Sequence, residues 1–340
     1  MQFAGRHMHR TDMNLLKDRS GRSISYLRLS VTDRCDFRCS YCMPVQARFL
    51  PREQVMTLEE NLELVRVFTE MGVRKVRLTG GEPLVRKDLS WLVREIKALP
   101  QAPDVVMTTN GSQLARQVDG LVAAGLSRIN VSLDSLDAAN FKRITHNGRL
   151  EQVLDGLQAA KWAGLEGIKL NVVAMRGVND HELVPLVEFA IEHGFNISFI
   201  EEMPFGDSDR NRAAAFMSSA EVRCVVEAAF PLVPTLESTG GPARYHRIPG
   251  TETRVGFISP HSHNFCDTCN RLRVAATGEL YTCLGSHGTV QLLPVLRAPS
   301  YAPDALREAI IEAIGRKPAR HEFSGATGYQ ALRFMSRTGG

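Results

Sequence analysis

Six short runs rich in β-branched and aliphatic residues recur through the first 203 residues of this chain: 26–32 (YLRLSVT), 75–80 (KVRLTG), 104–110 (DVVMTTN), 128–134 (RINVSLD), 168–175 (IKLNVVAM) and 197–203 (ISFIEEM). Helical patterns lie between them. Residues 57–71 place Leu58, Leu62, Val65, Phe68 and Met71 at helical spacing, and Thr57 with Glu60 reads as a capping box. Residues 87–99, 150–164 and 180–194 carry similar patterns. Strands alternating with helices are parallel, because the helix makes the return crossing. The expected fold is therefore α/β, with six units forming a partial (β/α)6 TIM-type barrel rather than a closed eightfold one.

Folds of this kind build their sites at the C-terminal ends of the strands. Those ends here read Thr32-Asp33-Arg34, Gly80-Gly81-Glu82-Pro83, Thr108-Thr109-Asn110-Gly111, Ser132-Leu133-Asp134 and Glu201-Glu202-Met203. Directly after the first comes a CxxxCxxC loop of Cys35, Cys39 and Cys42. A second trio, Cys266, Cys269 and Cys283, is spaced CxxC-x13-C. The seventh cysteine, Cys224, sits in a helical pattern at 218–230 and is expected to be a buried structural thiol. Two clusters of three suit metal ligation better than disulfides, which implies a reducing, cytoplasmic compartment. The first trio can hold three corners of a four-iron cubane and leave the fourth open, form a zinc knuckle, or remain inert. The second can bind zinc with His261, His263 or His287, or carry another four-iron cluster.

The chain has 340 residues, which suggests two domains at roughly 150 residues each. A net charge of +4 does not by itself argue for nucleic acid. No apolar run reaches the roughly 20 residues that span a bilayer. The polar, basic N-terminus lacks the apolar core of a secretory signal, and residues 1–20 read as a loose leader. The barrel rhythm is expected over 21–237, and a C-terminal region over 238–340. Residues 238–254 are turn-rich and read as a linker or loop. Basic residues fall on the strands: Arg28 on the first, Arg77 on the second and Lys169 on the fifth. Arg271 and Arg273, two apart, share a face if that stretch is extended. Arginine forks suit phosphate.

The CxxxCxxC loop with Tyr41 before its last cysteine, followed by Gly-Gly-Glu-Pro, resembles the radical S-adenosylmethionine (SAM) superfamily. The combination of TDRCDFRCSYCMP, RLTGGEPLVRKDL, MTTNG, INVSLDS and CDTCNRLRV is closely similar to the GTP 3′,8-cyclase family of molybdenum cofactor biosynthesis, from about residue 22 to the C-terminus. The resemblance implies a radical SAM barrel with a smaller C-terminal iron–sulfur domain and two [4Fe–4S] clusters. The first would bind SAM, and the second would bind the guanine of GTP through its open iron. A 5′-deoxyadenosyl radical would then take the 3′ hydrogen of GTP, and the ribose carbon would bond to guanine carbon 8.

The resemblance further assigns Tyr41, Gly80, Gly81, Glu82, Ser132 and Met203 to SAM. It assigns Arg28, Arg77, Thr108, Lys169, Arg271 and Arg273 to GTP. Arg28, Arg271 and Arg273, with a terminal Gly339-Gly340 that enters the site, are implied in turnover. A reductant such as flavodoxin or ferredoxin, a downstream cyclic pyranopterin monophosphate synthase and a homodimer are implied partners; nucleic acid and membrane are not. There is one departure: family members often carry arginine before FIE, where this chain has Ser198; if that arginine holds phosphate or positions substrate, either another basic group substitutes here or activity is impaired. Another radical SAM enzyme acting on a peptide or small molecule, or a non-catalytic paralogue, is the alternative.

Overall fold

The structure, a computed structural model, describes residues 16–203, 212–286, 288–321 and 335. Its first part is six strand–helix units. β1 (Tyr26–Ser30) leads to α1 (Leu58–Glu70), β2 (Lys75–Thr79) to α2 (Leu89–Lys97) and β3 (Asp104–Thr109) to α3 (Leu114–Ala123). β4 (Arg128–Ser132) is followed by α4 (Ala138–Thr145) and α5 (Leu150–Trp162), β5 (Gly167–Ala174) by α6 (Leu183–His193), and β6 (Asn196–Glu201) by α7 (Arg212–Ala215) and α8 (Ser219–Glu227). The expected capping box starts α1: Thr57 accepts from the Glu60 amide, and the Glu60 carboxylate accepts from the Thr57 amide at 2.7 Å. α3 and α4 are additions to the sequence reading. α3 carries a short apolar stripe, Leu114, Val118 and Leu121, all buried.

The remaining elements are β7 (Val233–Pro234), β8 (Arg244–Arg247), β9 (Arg254–Ile258), β10 (Arg271–Val274), β11 (Glu279–Tyr281), β12 (Thr289–Gln291), α9 (Leu293–Leu296) and α10 (Pro303–Gly315). All described strands join one sheet, in the order β12-β11-β10-β1-β2-β3-β4-β5-β6-β9-β8-β7. The run from β10 through β1–β6 to β9 is parallel throughout. The C-terminal region therefore extends both edges of the sheet. The linker reading of 238–254 is corrected. Residues 244–247 form β8, antiparallel to β9, with Tyr245 and His246 buried. The glycines that suggested a loop, Gly240 and Gly250, take positive φ in the turns flanking this strand.

Residues alternate strictly across the parallel strands. Leu27 and Leu29 of β1, Val76 and Leu78 of β2, Ile129 and Val131 of β4, and Leu272 and Val274 of β10 are buried in the hydrophobic core. Their alternates, such as Arg28, Arg77, Ser132 and Arg273, line a cavity of about 330 Å³. Ile258 of β9 and Arg271 of β10, at opposite ends of the parallel run, reach the same cavity, so the sheet curves around it. No helix among the described residues is long and apolar enough to cross a membrane.

Candidate active site

The parallel register builds a patch of positive charge on the inner face of the sheet. Tyr26 stands beside Arg271 on β10 and Lys75 on β2; one pleat further, Arg28 stands beside Arg273 and Arg77. Neighbouring strands lie about 4.8 Å apart, so these side chains crowd one another. Arg77 is fixed by three bonds: its Nε donates to Tyr26 Oη at 2.5 Å, and its Nη1 to Met107 O at 2.9 Å and Thr108 Oγ1 at 3.1 Å. Burial, with Arg77 and Arg271 alongside, lowers Arg28 to about 10; burial, with Arg28 and Arg271 alongside, holds Arg273 well below its ordinary value. Burial likewise lowers Lys169, whose Nζ lies 3.3 Å from Tyr245 Oη. A cluster this crowded and desolvated is complementary to a multiply charged anion.

The other end of the strands is acidic. Glu82 is buried and accepts from Thr109 Oγ1 at 2.6 Å, the Asn110 amide at 2.6 Å and the Leu84 amide at 3.0 Å; burial outweighs these bonds and raises it to about 8. Asp134 is raised by burial to about 6, although Tyr41 donates to it at 2.7 Å and the Val173 amide at 2.8 Å. Glu201, Glu202 and Met203 line the same end.

The first thiol loop lies against these groups. Its backbone is tied to α4 by the Arg38 and Ser40 amides, which donate to Thr145 O and Ile144 O. Asn110 Nδ2 bonds Asp36 at 2.7 Å and lies 3.8 Å from Cys35 Sγ. Burial pushes Cys35 and Cys39 up, with Glu82 adding to the first and Cys42 and Asp134 to the second. A glycine pair such as Gly80-Gly81 can serve a site through positive φ or through close approach of the backbone. Close approach is the reason here, since neither takes positive φ. A Cβ on Gly81 would come within 2.4 Å of Arg34 O, and one on Gly80 within 2.7 Å of Thr32 O.

The second trio lies at the opposite end, with Cys269 just before β10 and Cys283 just after β11. Burial would raise the Cys269 thiol, but Arg271 and Lys317 pull it down to about 7. Lys317, 5% exposed, places Nζ 3.6 Å from Cys269 Sγ and donates to Arg271 O at 3.1 Å and to Thr282 O. Arg22 donates to Cys266 O at 2.7 Å and to Pro318 O at 2.7 Å, tying this loop to the chain after α10.

All six trio cysteines, and every residue that the resemblance assigned to SAM or GTP, line this one cavity. Gly339 and Gly340 lie outside the described residues, as do His287 and residues 1–15 of the leader. Cys224 is exposed on α8, not buried: the helix turns Val222 and Val226 to the core instead. Ser198 is fully buried, paired in register with Gly256, and its Oγ lies 2.6 Å from where a Cβ on Gly256 would stand. On this wall the basic group that reaches the cavity is Lys169 of β5. Tyr26 and Lys317 went unread in the sequence. Tyr26 could have been found by counting two back from Arg28; Lys317 follows a helix in a patternless turn.

Both thiol loops fit iron–sulfur clusters in the chemistry of their donors: three cavity-facing thiols each, none of them in a disulfide. Among the described residues, no three His, Cys, Asp or Glu side chains converge as a single metal ion requires.

Comparison with known proteins agrees with this geometry. Residues 29–190 match the radical SAM superfamily, and residues 195–323 match the family described as Molybdenum Cofactor Synthesis C. The chain is 55% identical over 326 residues to the GTP 3′,8-cyclase of Marinobacter nauticus, covering 96% of this chain and 98% of that one. It is 54% identical over 324 residues to GTP 3′,8-cyclase 1 of Pseudomonas aeruginosa, covering 95% of this chain and 98% of that one. The fold is similar to that of Streptococcus suis SuiB bound to S-adenosylmethionine, with a TM-score of 0.61 at 15% identity, over 87% of this chain and 66% of that one.

Proposed function

This chain belongs to the GTP 3′,8-cyclase family of radical SAM enzymes, and from that premise we propose how its cavity divides the work. The enzyme is a lyase of molybdenum cofactor biosynthesis that uses SAM and a [4Fe–4S] cluster and converts GTP to 3′,8-cyclo-7,8-dihydro-GTP. The observation that carries the division is polarity: one cavity has carboxylates around the thiol trio at one end and guanidinium groups beside the trio at the other. SAM is a sulfonium cation, and GTP is a polyanion. Each is matched to the end of opposite sign.

Cys35, Cys39 and Cys42 would hold the first cluster, which supplies the electron that opens the sulfonium when SAM is bound. Gly80 and Gly81 bring backbone close to that site, and Glu82, Ser132, Tyr41 and Met203 complete the SAM wall. Asp134 fixes the Tyr41 hydroxyl. Cys266, Cys269 and Cys283 would hold a second [4Fe–4S] cluster that receives the guanine. Arg28, Arg77, Arg271, Arg273, Lys169 and Thr108 bind and orient the triphosphate and ribose, with Lys169 standing in for the arginine absent at Ser198.

Gly339 and Gly340 act at the same site in this reading, and residues 21–237 and 238–340 contribute one trio each. Seven cysteines with no disulfide among them support a reducing cytoplasm as the compartment. A flavodoxin or ferredoxin as reductant, a homodimer, and cyclic pyranopterin monophosphate synthase as next enzyme complete the reading.

The test is anaerobic turnover of reconstituted protein with GTP and SAM, the product identified by mass. About eight irons per chain are expected from two four-iron clusters. About four irons with one zinc would overturn the second cluster; SAM cleavage that yields no cyclised product from GTP would overturn the substrate.

A further inference from the structure

Six side chains share the inner face of β10, β1 and β2 in two rows: Arg271, Tyr26 and Lys75, then Arg273, Arg28 and Arg77. Five are bases, and the sixth is a phenol. Tyr26 is 4% exposed and lines the cavity. Its hydroxyl accepts from Arg77 Nε at 2.5 Å, and Lys75 Nζ sits 5.6 Å from its ring centroid. No carboxylate occupies any of the six positions. Asp104 of β3, across from Lys75, is shared between Lys75 at 3.6 Å and Arg128 at 2.7 Å. From β5, Lys169 adds another cation, with Tyr245 of β8 beside it; beyond Arg271 lies Cys269. Tyr26 is thus the one group in the two rows that can become an anion.

We propose that Tyr26 is the resident counter-ion of the nucleotide site, and that it takes up a proton from solvent when the triphosphate arrives. This rests on the reading of GTP as substrate. The physical reason is reciprocal coupling between two anions for one set of cations. Without nucleotide, burial opposes ionisation, but Arg77, Arg28 and Arg271 outweigh it and lower the phenol to about 7. A triphosphate brings about four negative charges to the same guanidinium groups at neutral pH, and the phenolate then faces a like charge. The oxygen is reprotonated, remains the acceptor for Arg77 Nε, and so keeps that guanidinium aimed while the phosphates replace its counter-charge. Tyr26 is in this sense a positioning residue. Its chemistry is one proton gained from the buffer, with no bond to substrate made or broken.

The experiment is calorimetry of GTP binding to the reconstituted two-cluster enzyme with SAM and no reductant, in Tris and in HEPES, whose ionisation enthalpies differ. At about pH 8 the wild type should take up close to one proton more per GTP than Tyr26→Phe, which keeps the ring and loses the hydroxyl. Between about pH 7.5 and 9, the wild-type dissociation constant should climb nearly tenfold per pH unit relative to the variant. Iron content and SAM affinity report whether the variant is folded. If it is not, the wild-type titration alone decides, through an inflection near neutrality in proton uptake. Equal proton uptake by wild type and variant, or no inflection in the wild type, would overturn the proposal. Failure of the wild type to bind GTP would instead overturn the substrate reading.

Discussion

The two thiol trios stand at opposite ends of the same parallel strands, in surroundings of opposite charge. Around Cys35, Cys39 and Cys42 are Glu82, Asp134 and Asp36, and burial with these carboxylates pushes the Cys35 and Cys39 thiols up. Around Cys269 are Arg271 and Lys317, which overcome burial and bring that thiol down to about 7. Identical donors therefore carry different electrostatic instructions. An acidic shell favours a cationic guest and a basic shell an anionic one, so polarity, more than ligand count, tells the two trios apart.

The most severe test removes one thiol at a time. Cys39→Ser should take deoxyadenosine formation and cyclisation both to background. Cys269→Ser should abolish cyclisation yet leave reductive SAM cleavage. Each variant should lose about four of the eight irons. Iron analysis with deoxyadenosine and product assays reads all of this. Parallel loss of SAM cleavage in both variants would mean that the trios do not act separately.

Much of this division was legible in the sequence, and the reasons are physical. Alternation on β1, β2 and β10 put Arg28, Arg77 and the Arg271/Arg273 pair on the face opposite Leu27, Val76 and Leu272, because side chains in a strand alternate. What stayed hidden depends on contacts between distant segments. Lys317 meets Cys269 across 48 residues, and Arg22 meets Cys266 across 244. β8 escaped because four residues, Arg244–Arg247, are too few to display a period. Cys224 was misplaced because an isolated thiol in a helix carries no sign of which face it occupies.

Arg273→Ala probes the basic end next. A lost charge-assisted hydrogen bond is equivalent to about 1.5–3 kcal/mol, so KM for GTP should rise about 10- to 150-fold. SAM cleavage should persist. Steady-state kinetics with both substrates measures this, and an equal rise in KM for SAM would erase the contrast.

At the acidic end, Glu82→Gln should weaken SAM about tenfold. The wild type should also show a pH dependence that the variant lacks. Burial raises Glu82 to about 8, so at neutral pH it is largely protonated. A bound cation favours the ionised form, so binding expels a proton, and affinity for SAM rises as pH approaches about 8 and then levels. For folding alone the sign is opposite: a raised carboxyl stabilises the fold below its unfolded value, and that contribution is lost as pH rises through about 8. Binding isotherms across pH that superimpose for wild type and variant would remove Glu82 from the SAM end.

The finest test concerns Lys317, which distinguishes the trios at a single atom. Its buried ammonium donates to two carbonyls and approaches Cys269 Sγ at 3.6 Å. Lys317→Met keeps the length and apolar stem and deletes the charge. A nearby cation and a hydrogen bond to sulfur both favour the more negative, reduced form of an iron–sulfur centre, so losing them lowers its potential. The expected fall is about 60 mV, the value of a tenfold change in a one-electron couple. Redox titration followed by electron paramagnetic resonance should show one centre moving and the other still. The stationary one should be the SAM-responsive centre, since its neighbours are Glu82 and Asp134 rather than Lys317. A shift confined to that centre, or shared equally by both, would show that charge around the second trio does not set it apart.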